Sequence, residues 1–216
     1  MKFARLFSLV AAVVVLLSLT AGCSNAQAST ATTTTTQAFQ VPANFTTYKD
    51  ENSLFSISYP NQWEPATDLV GLNTQMKDAV SAIKSGLPID KTSILFMSGL
   101  KTTTGYYPGL AVVVEPAPTL VLNNGLAVQA EVNGIKQVDP NLQEISRTKI
   151  TVNGKDATIL EYKAHFSATT PLMHNIALIC LDGRTIWSVT CSAQDTDFDQ
   201  FSSDYNNVVR SLQLTK

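Results

Sequence analysis

The clearest order in the chain is an alternation. Leu54-Phe-Ser-Ile-Ser-Tyr-Pro60 places Phe55, Ile57 and Tyr59 on one side of an extended segment that Pro60 ends, which predicts a strand with one apolar face. Trp63 then stands where it can plug the core edge. From Thr74 to Ser85 the period lengthens: Met76, Ala79, Val80 and Ile83 share a helical face, and Gly86 and Pro88 stop the helix. Ile94 to Leu100 and Leu110 to Glu115 read as two paired strands separated by a turn at Gly105-Tyr106-Tyr107-Pro108-Gly109. Leu120 to Val138 carries a weaker helical pattern, interrupted at Asn123-Asn124-Gly125, with Leu126, Ala130 and Ile135 roughly aligned.

Glu144 to Ser192 is patterned most strongly and reads as two successive hairpins. Ile145 to Val152 runs into Asn153-Gly154, the dipeptide that supplies the positive φ angles of a type I′ turn. The return strand, Ala157 to Phe166, alternates as a strand with one wet face should. Asn175 to Leu181 and Thr185 to Cys191 flank Asp182-Gly183. With those two residues as the loop, Cys180 faces Thr185, and one face carries Ile176, Leu178, Cys180, Trp187, Val189 and Cys191. The other face holds Ala177, Ile179, Leu181 and Ile186, so both faces need a cover, and helices are the expected covers. The last helix has Thr196 and Asp199 as a capping box and a stripe of Phe198, Phe201, Tyr205, Val208, Val209 and Leu212. The fold class is therefore α+β, an antiparallel β-sheet sandwiched between helices in an α/β/α arrangement.

Four of these segments together resemble the PsbP/Mog1-like superfamily: Phe55-Ser-Ile-Ser-Tyr-Pro-Asn-Gln-Trp63, the Val152 to Ala157 hairpin, Ile186 to Ala193, and the closing Phe198 to Leu212 helix. The similarity spans roughly Thr47 to Leu214. The matching residues are turn, core and cap residues, so the resemblance implies a fold more than an activity. It also implies a non-enzymatic accessory, assembly or binding role, the usual one among members, many of whose prokaryotic forms are lipoproteins. It implies no photosynthetic role by itself.

Before the domain, Met1 to Gly22 has two cations, Lys2 and Arg5, then an apolar run from Leu6 to Leu19 and the small pair Ala21-Gly22. That is the plan of an export signal, too short and wrongly flanked for a membrane span of about 20 apolar residues. The Ala21-Gly22-Cys23 ending resembles a bacterial lipobox, with Thr20 rather than a leucine three residues before Cys23. Lipidation of Cys23 after cleavage is the expectation; a plain secretory signal or an uncleaved anchor is the alternative. Residues 23–44 then read as the lipidated Cys and a disordered, Thr-rich tether that includes Thr32 to Thr36, and residues 45–216 as a single domain. At about 5–6 Å times the square root of its length the tether would hold the domain roughly 25 Å from the lipid. The threonine run and the Asn44-Phe45-Thr46 sequon are formal sites for sugars.

Charge narrows the partners. The chain has 15 basic and 17 acidic residues, and losing Lys2 and Arg5 with the signal leaves a balance near −4, unsuited to nucleic acid. No Gly-x-Ser-x-Gly elbow is present, Ser98 lacks the preceding glycine, and only His165 and His174 offer imidazole bases, so a serine hydrolase is not expected. No phosphate-cradling glycine loop follows any strand, and no cofactor is expected. Cys180 and Cys191 lie about six residues apart along the strands in the register above, beyond disulfide reach. Buried free thiols are expected, with a disulfide in another register and a redox or metal role as alternatives.

Three clusters are candidate contacts. If Phe166 to Met173 is a hairpin loop, His165 and His174 become cross-strand neighbours that could hold Zn or Mn with a carboxylate, unless they are two half-exposed imidazoles near a loop. Asp195-Thr-Asp-Phe-Asp199 imitates half of a calcium loop, with Gln200 where glycine is needed and Asn206 where the bidentate Glu belongs, and the helix dipole already explains its acids. Tyr106 and Tyr107 beside the turn form an interaction surface, unless both rings fold back onto the sheet. The expected function is that of a non-enzymatic, extracytoplasmic protein anchored in the membrane by lipid on Cys23 and interacting with another envelope component. The alternative is a small-ligand or metal-binding lipoprotein associated with a transporter.

Overall fold

The fold was analysed as a computed structural model that describes residues 39–66, 73–85, 87, 89–102, 105–167 and 170–215, with no account of the side chains of 73–77, 102, 105 and 106. The signal segment, Cys23, the tether up to residue 38 and the side chain of Tyr106 lie outside the described residues. No described helix is long and apolar enough to cross a membrane.

Among the described residues, ten strands form two antiparallel sheets. The smaller has the order β1-β2-β10, from β1 (Phe45–Lys49), β2 (Phe55–Pro60) and β10 (Gln213–Leu214). The larger has seven strands in the order β3-β4-β5-β9-β8-β7-β6: β3 (Glu64–Pro65), β4 (Ser93–Thr102), β5 (Gly105–Pro116), β6 (Gln143–Val152), β7 (Lys155–Ala164), β8 (Met173–Asp182) and β9 (Thr185–Gln194). Three helices complete the described chain, α1 (Asn73–Lys84), α2 (Asn124–Val138) and α3 (Phe198–Arg210).

Strand alternation splits the larger sheet into two apolar faces. Leu110, Val112 and Val114 of β5, with Ile176, Leu178 and Cys180 of β8 and Trp187, Val189 and Cys191 of β9, belong to one core. That core is closed by Phe55, Ile57 and Tyr59 of the small sheet, Ala79 and Val80 of α1, and Tyr205, Val208 and Val209 of α3. The opposite face presents Leu160, Tyr162, Ala177, Ile179 and Ile186 to Ala127, Val128 and Val132 of α2. Helices on both faces therefore describe the fold only in part, because one cover is shared between helices and a second sheet. A buried hydroxyl ties that cover down: Ser211 Oγ accepts from the Ser58 N–H at 2.8 Å and donates to the carbonyls of Val208 at 2.7 Å or Ser58 at 3.1 Å.

Five expectations need correction, the last of them on β7. The residues read as a turn, Gly105 to Gly109, are the first half of β5, paired with β4. Gly109 is needed there because a Cβ would lie 2.6 Å from the Ser98 carbonyl oxygen. Next, Asn123-Asn124-Gly125 does not interrupt a helix but begins one: Asn123 caps α2 by accepting from the Leu126 N–H at 3.0 Å. The buried stripe is Ala127, Val128 and Val132, with the expected Ala130 and Ile135 packed at its edges, while Leu126 is exposed. Third, the β8–β9 loop is Gly183-Arg184, with Asp182 opposite Thr185 and Cys180 opposite Trp187. Gly183 alone supplies the positive φ that a II′ pattern needs at its first position. The shift is two residues, so every side chain keeps its face. Fourth, no side-chain capping bond forms at α3, where Thr196 bonds the Asp197 side chain instead.

The Asn153-Gly154 turn forms as read, with φ of 50° and 79°, and Asn153 also accepts from the Leu214 N–H at 2.9 Å, fixing β10. β7 is not wet along one face. It is buried on both sides from Ala157 to Leu160 and becomes polar only at Glu161 and Lys163.

Candidate functional site

Between α2 and the sheet lies a cleft of about 70 Å³. Its floor follows from strand alternation. Because Val112 and Val114 point into the first core, Val113 and Glu115 point to the α2 side, where Ile186 and Ser188 of β9 and Tyr162 of β7 also emerge. The roof is α2, on which Glu131 occupies a position within the stripe of Val128, Val132 and Ile135. Glu115 is 8% exposed and shares a side-chain hydrogen bond with Glu131. Burial, then the neighbouring carboxyl, pushes the Glu115 pKa well above the carboxylate range, and burial also raises that of Glu131. Two carboxylates so placed cannot both ionise cheaply, so the pair retains a proton near neutrality.

Tyr162 is 3% exposed and closes the cleft from β7. Burial and the charge of Glu131 hold that phenol protonated far above its ordinary range. Among the described residues, no lysine or arginine lines the cleft. The remaining walls are apolar, with Ile135 and Val138 from α2 and Phe166 beyond β7. Neither glutamate stands out by motif. The signal was a Glu within each apolar pattern, at the end of the Leu110 to Glu115 strand and inside the helix stripe.

The two histidines go to different layers. His174 pairs across strands with Lys163, not with His165. Its Nε2 lies 2.9 Å from Glu161, its Nδ1 3.3 Å from Asp195, and its ring stacks on Phe198 at 3.4 Å. The carboxylates hold opposite edges of the ring, so the three groups cannot converge on one ion. Lys163 adds a 2.7 Å bond to Asp195 and, with His174, lowers the pKa of that acid. His165 lies past the end of β7, where its backbone N–H donates to Asp139 at 2.7 Å and its ring Nδ1 lies 3.1 Å from the same carboxylate. These bonds hold the Asp139 carboxyl below its ordinary range, although burial opposes them. Among the described residues no group of three His, Cys, Asp or Glu side chains is arranged as metal ligands.

Tyr107 sits in strand, half-buried against the first core, and its hydroxyl accepts a hydrogen bond from the Gln194 N–H. Ser98 is buried in β4, and its Oγ has no partner. Trp63 does plug the core edge, 2% exposed and edge-on to Tyr205 at 6.0 Å.

One surface feature was not read from the sequence. Val121 is buried under the start of α2, and its neighbours Leu120 and Leu122 consequently point out, 66% and 77% exposed, beside Leu126 at 43%. The segment is pinned: the Ala117 N–H donates to the Arg184 carbonyl at 2.9 Å, and the Arg184 guanidinium donates to the carbonyls of Ala117 at 3.0 Å and Thr119 at 3.4 Å.

Comparison with known proteins gives a consistent frame. The PsbP family profile matches residues 43–214. No protein of curated function matches the chain by sequence. Cyanobacterial PsbP (CyanoP) from Synechocystis sp. PCC 6803 is similar in structure, with a TM-score of 0.53 at 15% identity over 81% of this chain and 94% of that one. LpqN, involved in cell envelope biogenesis of Mycobacterium tuberculosis, gives 0.49 at 10% identity over 83% and 93%. PA94 from Pseudomonas aeruginosa, a protein of unknown function, gives 0.47 at 10% over 81% and 99%.

Proposed function

The chain belongs to the PsbP family, and on that premise we propose that it is a non-enzymatic accessory domain, held at the extracytoplasmic face of a membrane by lipid on Cys23, that binds a protein component of the envelope. The observation that carries this reading is the pinned leucine segment, three large apolar side chains within seven residues left facing solvent. Its position favours a protein over the lipid surface.

The tether joins the domain at the other end of the sheet. Phe45 pairs with Pro60, Trp63 meets Tyr205 edge-on, and Tyr205 Oη donates to the Ser192 carbonyl at 2.8 Å. The leucine segment leaves β5 at Pro116, opposite Thr185. From Thr185 to Ser192 is roughly 23 Å at the rise of an extended strand. The leucines therefore lie at the end of the sheet away from the tether's attachment, where the anchor leaves them free to meet a partner.

The test is a crosslinking pull-down from native membranes with the intact chain, a Cys23→Ser chain and a Leu120→Ser/Leu122→Ser chain. A specific complex lost in both variants is expected. A complex that survives the double leucine substitution overturns the docking face, and turnover of a substrate abolished by His165→Ala or His174→Ala overturns the non-enzymatic role. A second reading, a small-ligand lipoprotein serving a transporter, draws on the cleft beneath α2.

A further inference from the structure

The cleft holds an uncompensated carboxyl pair. Buried acids are normally paired with a cation or hydrogen-bonded throughout, since an isolated buried charge is costly. Glu115 and Glu131 have each other and no basic side chain in the lining. Two charged groups next to the cleft are engaged elsewhere: Asp139 follows Val138 and holds His165, and Arg184 is bonded to the carbonyls of Ala117 and Thr119 beyond Pro118; Lys91, beside Thr92, and Lys136, beside Ile135, are not in the lining. Beside the pair, Tyr162 lines the same cleft, a buried ring whose phenol feels the charge of Glu131.

The geometry points to this cleft as a binding site for a primary ammonium group on a short aliphatic stem, held by Glu115, Glu131 and the Tyr162 hydroxyl. Donor and acceptor counts agree. An alkylammonium has three N–H donors and no acceptor, and the cleft offers two carboxylates and one phenol oxygen. The apolar walls, Val113, Ile135, Val138, Phe166 and Ile186, suit methylene groups, and the Phe166 ring can face the cation. A hard metal ion fits less well. It needs six or more oxygen ligands, and no third acid or imidazole joins the pair among the described residues. The volume of about 70 Å³ is roughly two water volumes, enough for the ammonium head and a short stem.

Binding exchanges cations without covalent change. The pair gives up its shared proton to solvent, and the ammonium replaces it between the two carboxylates, so one proton leaves for each ligand bound. The inference does not depend on the leucine face: a cleft that binds amines and a leucine segment that binds nothing would separate the two readings.

The experiment is calorimetric titration of the full chain, in non-ionic detergent, with propylammonium chloride in two buffers of different ionisation enthalpy. One site, release of about one proton and an affinity that rises up to tenfold per pH unit towards pH 8 are expected. Propan-1-ol and tetramethylammonium should bind at least tenfold more weakly, since one lacks the charge and the other the N–H donors. Glu115→Gln and Glu131→Gln should each weaken binding at least tenfold, and Tyr162→Phe severalfold with the fold intact. No binding by roughly 10 mM ligand, a weaker threshold than any specific site would need, overturns the inference. So does equal binding of tetramethylammonium or propan-1-ol, or binding without proton release. If a glutamine variant fails to fold, Tyr162→Phe and the proton count of the unmodified chain decide.

Discussion

Glu115 of β5 and Glu131 of α2 share a hydrogen bond across the space between sheet and helix, so the contact that seats α2 at this point includes a proton. That proton gives stability a direction with pH. The folded pKa of Glu115 is raised, from an ordinary value near 4.5 to about 8, so the folded chain binds more protons than the unfolded one between those values. The contribution is complete below the unfolded value and is lost as pH rises through the folded one. Thermal melts should show Tm falling between pH 5 and pH 9, and Glu115→Gln should flatten that fall and raise Tm by roughly 5 °C at the alkaline end. A Gln variant with the same slope as the parent would remove the shared proton from the account.

His174 is a core residue with polar edges. It is 7% exposed, stacked on Phe198, and gripped on both ring nitrogens by Glu161 and Asp195. His174→Ala leaves a void under Phe198 and two carboxylates with one partner fewer, which should cost about 2 kcal/mol in urea melts. His165→Ala, whose side chain is 46% exposed, should cost less than about 1 kcal/mol because its backbone N–H still holds Asp139. Equal costs for the two would contradict the placement of His174 in the core.

What the sequence made legible follows from period. Strands with period two and both faces apolar declared their covers, and an Asn-Gly turn declared a hairpin. A loop misplaced by one residue in β8–β9 shifts the pairing by two and so left every side chain on its proper face, because the side-chain period is also two. A helix forgives less. Reading Leu126, Ala130 and Ile135 as the inward face placed Ala130 and Ile135 at the core edge correctly but put the exposed Leu126 inside and missed Ala127, Val128 and Val132, and with them the inward face of Glu131. The Gly105 to Gly109 stretch failed for another reason: glycine and proline usually mark turns, but Gly109 is required by close approach to the Ser98 carbonyl within paired strands. The pairing of Glu115 with Glu131 was beyond reach, since it depends on how α2 sits over β5, and the sequence does not encode that in any local pattern.

Asn124 fixes that seating. Its Nδ2 donates to Thr158 Oγ1 at 3.0 Å on β7, and its Oδ1 accepts from the Leu181 N–H at 3.0 Å on β8, so one buried amide in the first turn of α2 spans two strands. Asn124→Ala strands the Leu181 N–H and the Thr158 hydroxyl and should destabilise by about 2 kcal/mol. Faster amide hydrogen exchange at Leu181 than at Ile179, deeper in the same strand, is the local readout. A variant in which Leu181 exchange is unchanged would show that the amide bond does not hold the helix.

Cys180 and Cys191 complete the case for a core made of packing alone. They lie on the same face of neighbouring strands, but Cys180 stands opposite Trp187 and Cys191 opposite Ile176, four positions apart, roughly 13 Å along an extended chain. A disulfide requires Cα atoms within about 7 Å, so the register forbids one. Both thiols are free and fully buried, and burial pushes Cys180 up to about 11 and Cys191 well above its ordinary value. The nucleophile is the thiolate, and in the folded chain it is neither formed nor reachable at neutral pH. An aromatic disulfide reagent should therefore modify neither thiol in the native protein over hours, and should modify both at once when urea reaches the unfolding midpoint. Reducing agent should leave Tm unchanged. Rapid modification of one thiol before unfolding would mean that α3 opens from the sheet on its own, since Phe198, Tyr205, Val208 and Val209 belong to the core that buries Cys191.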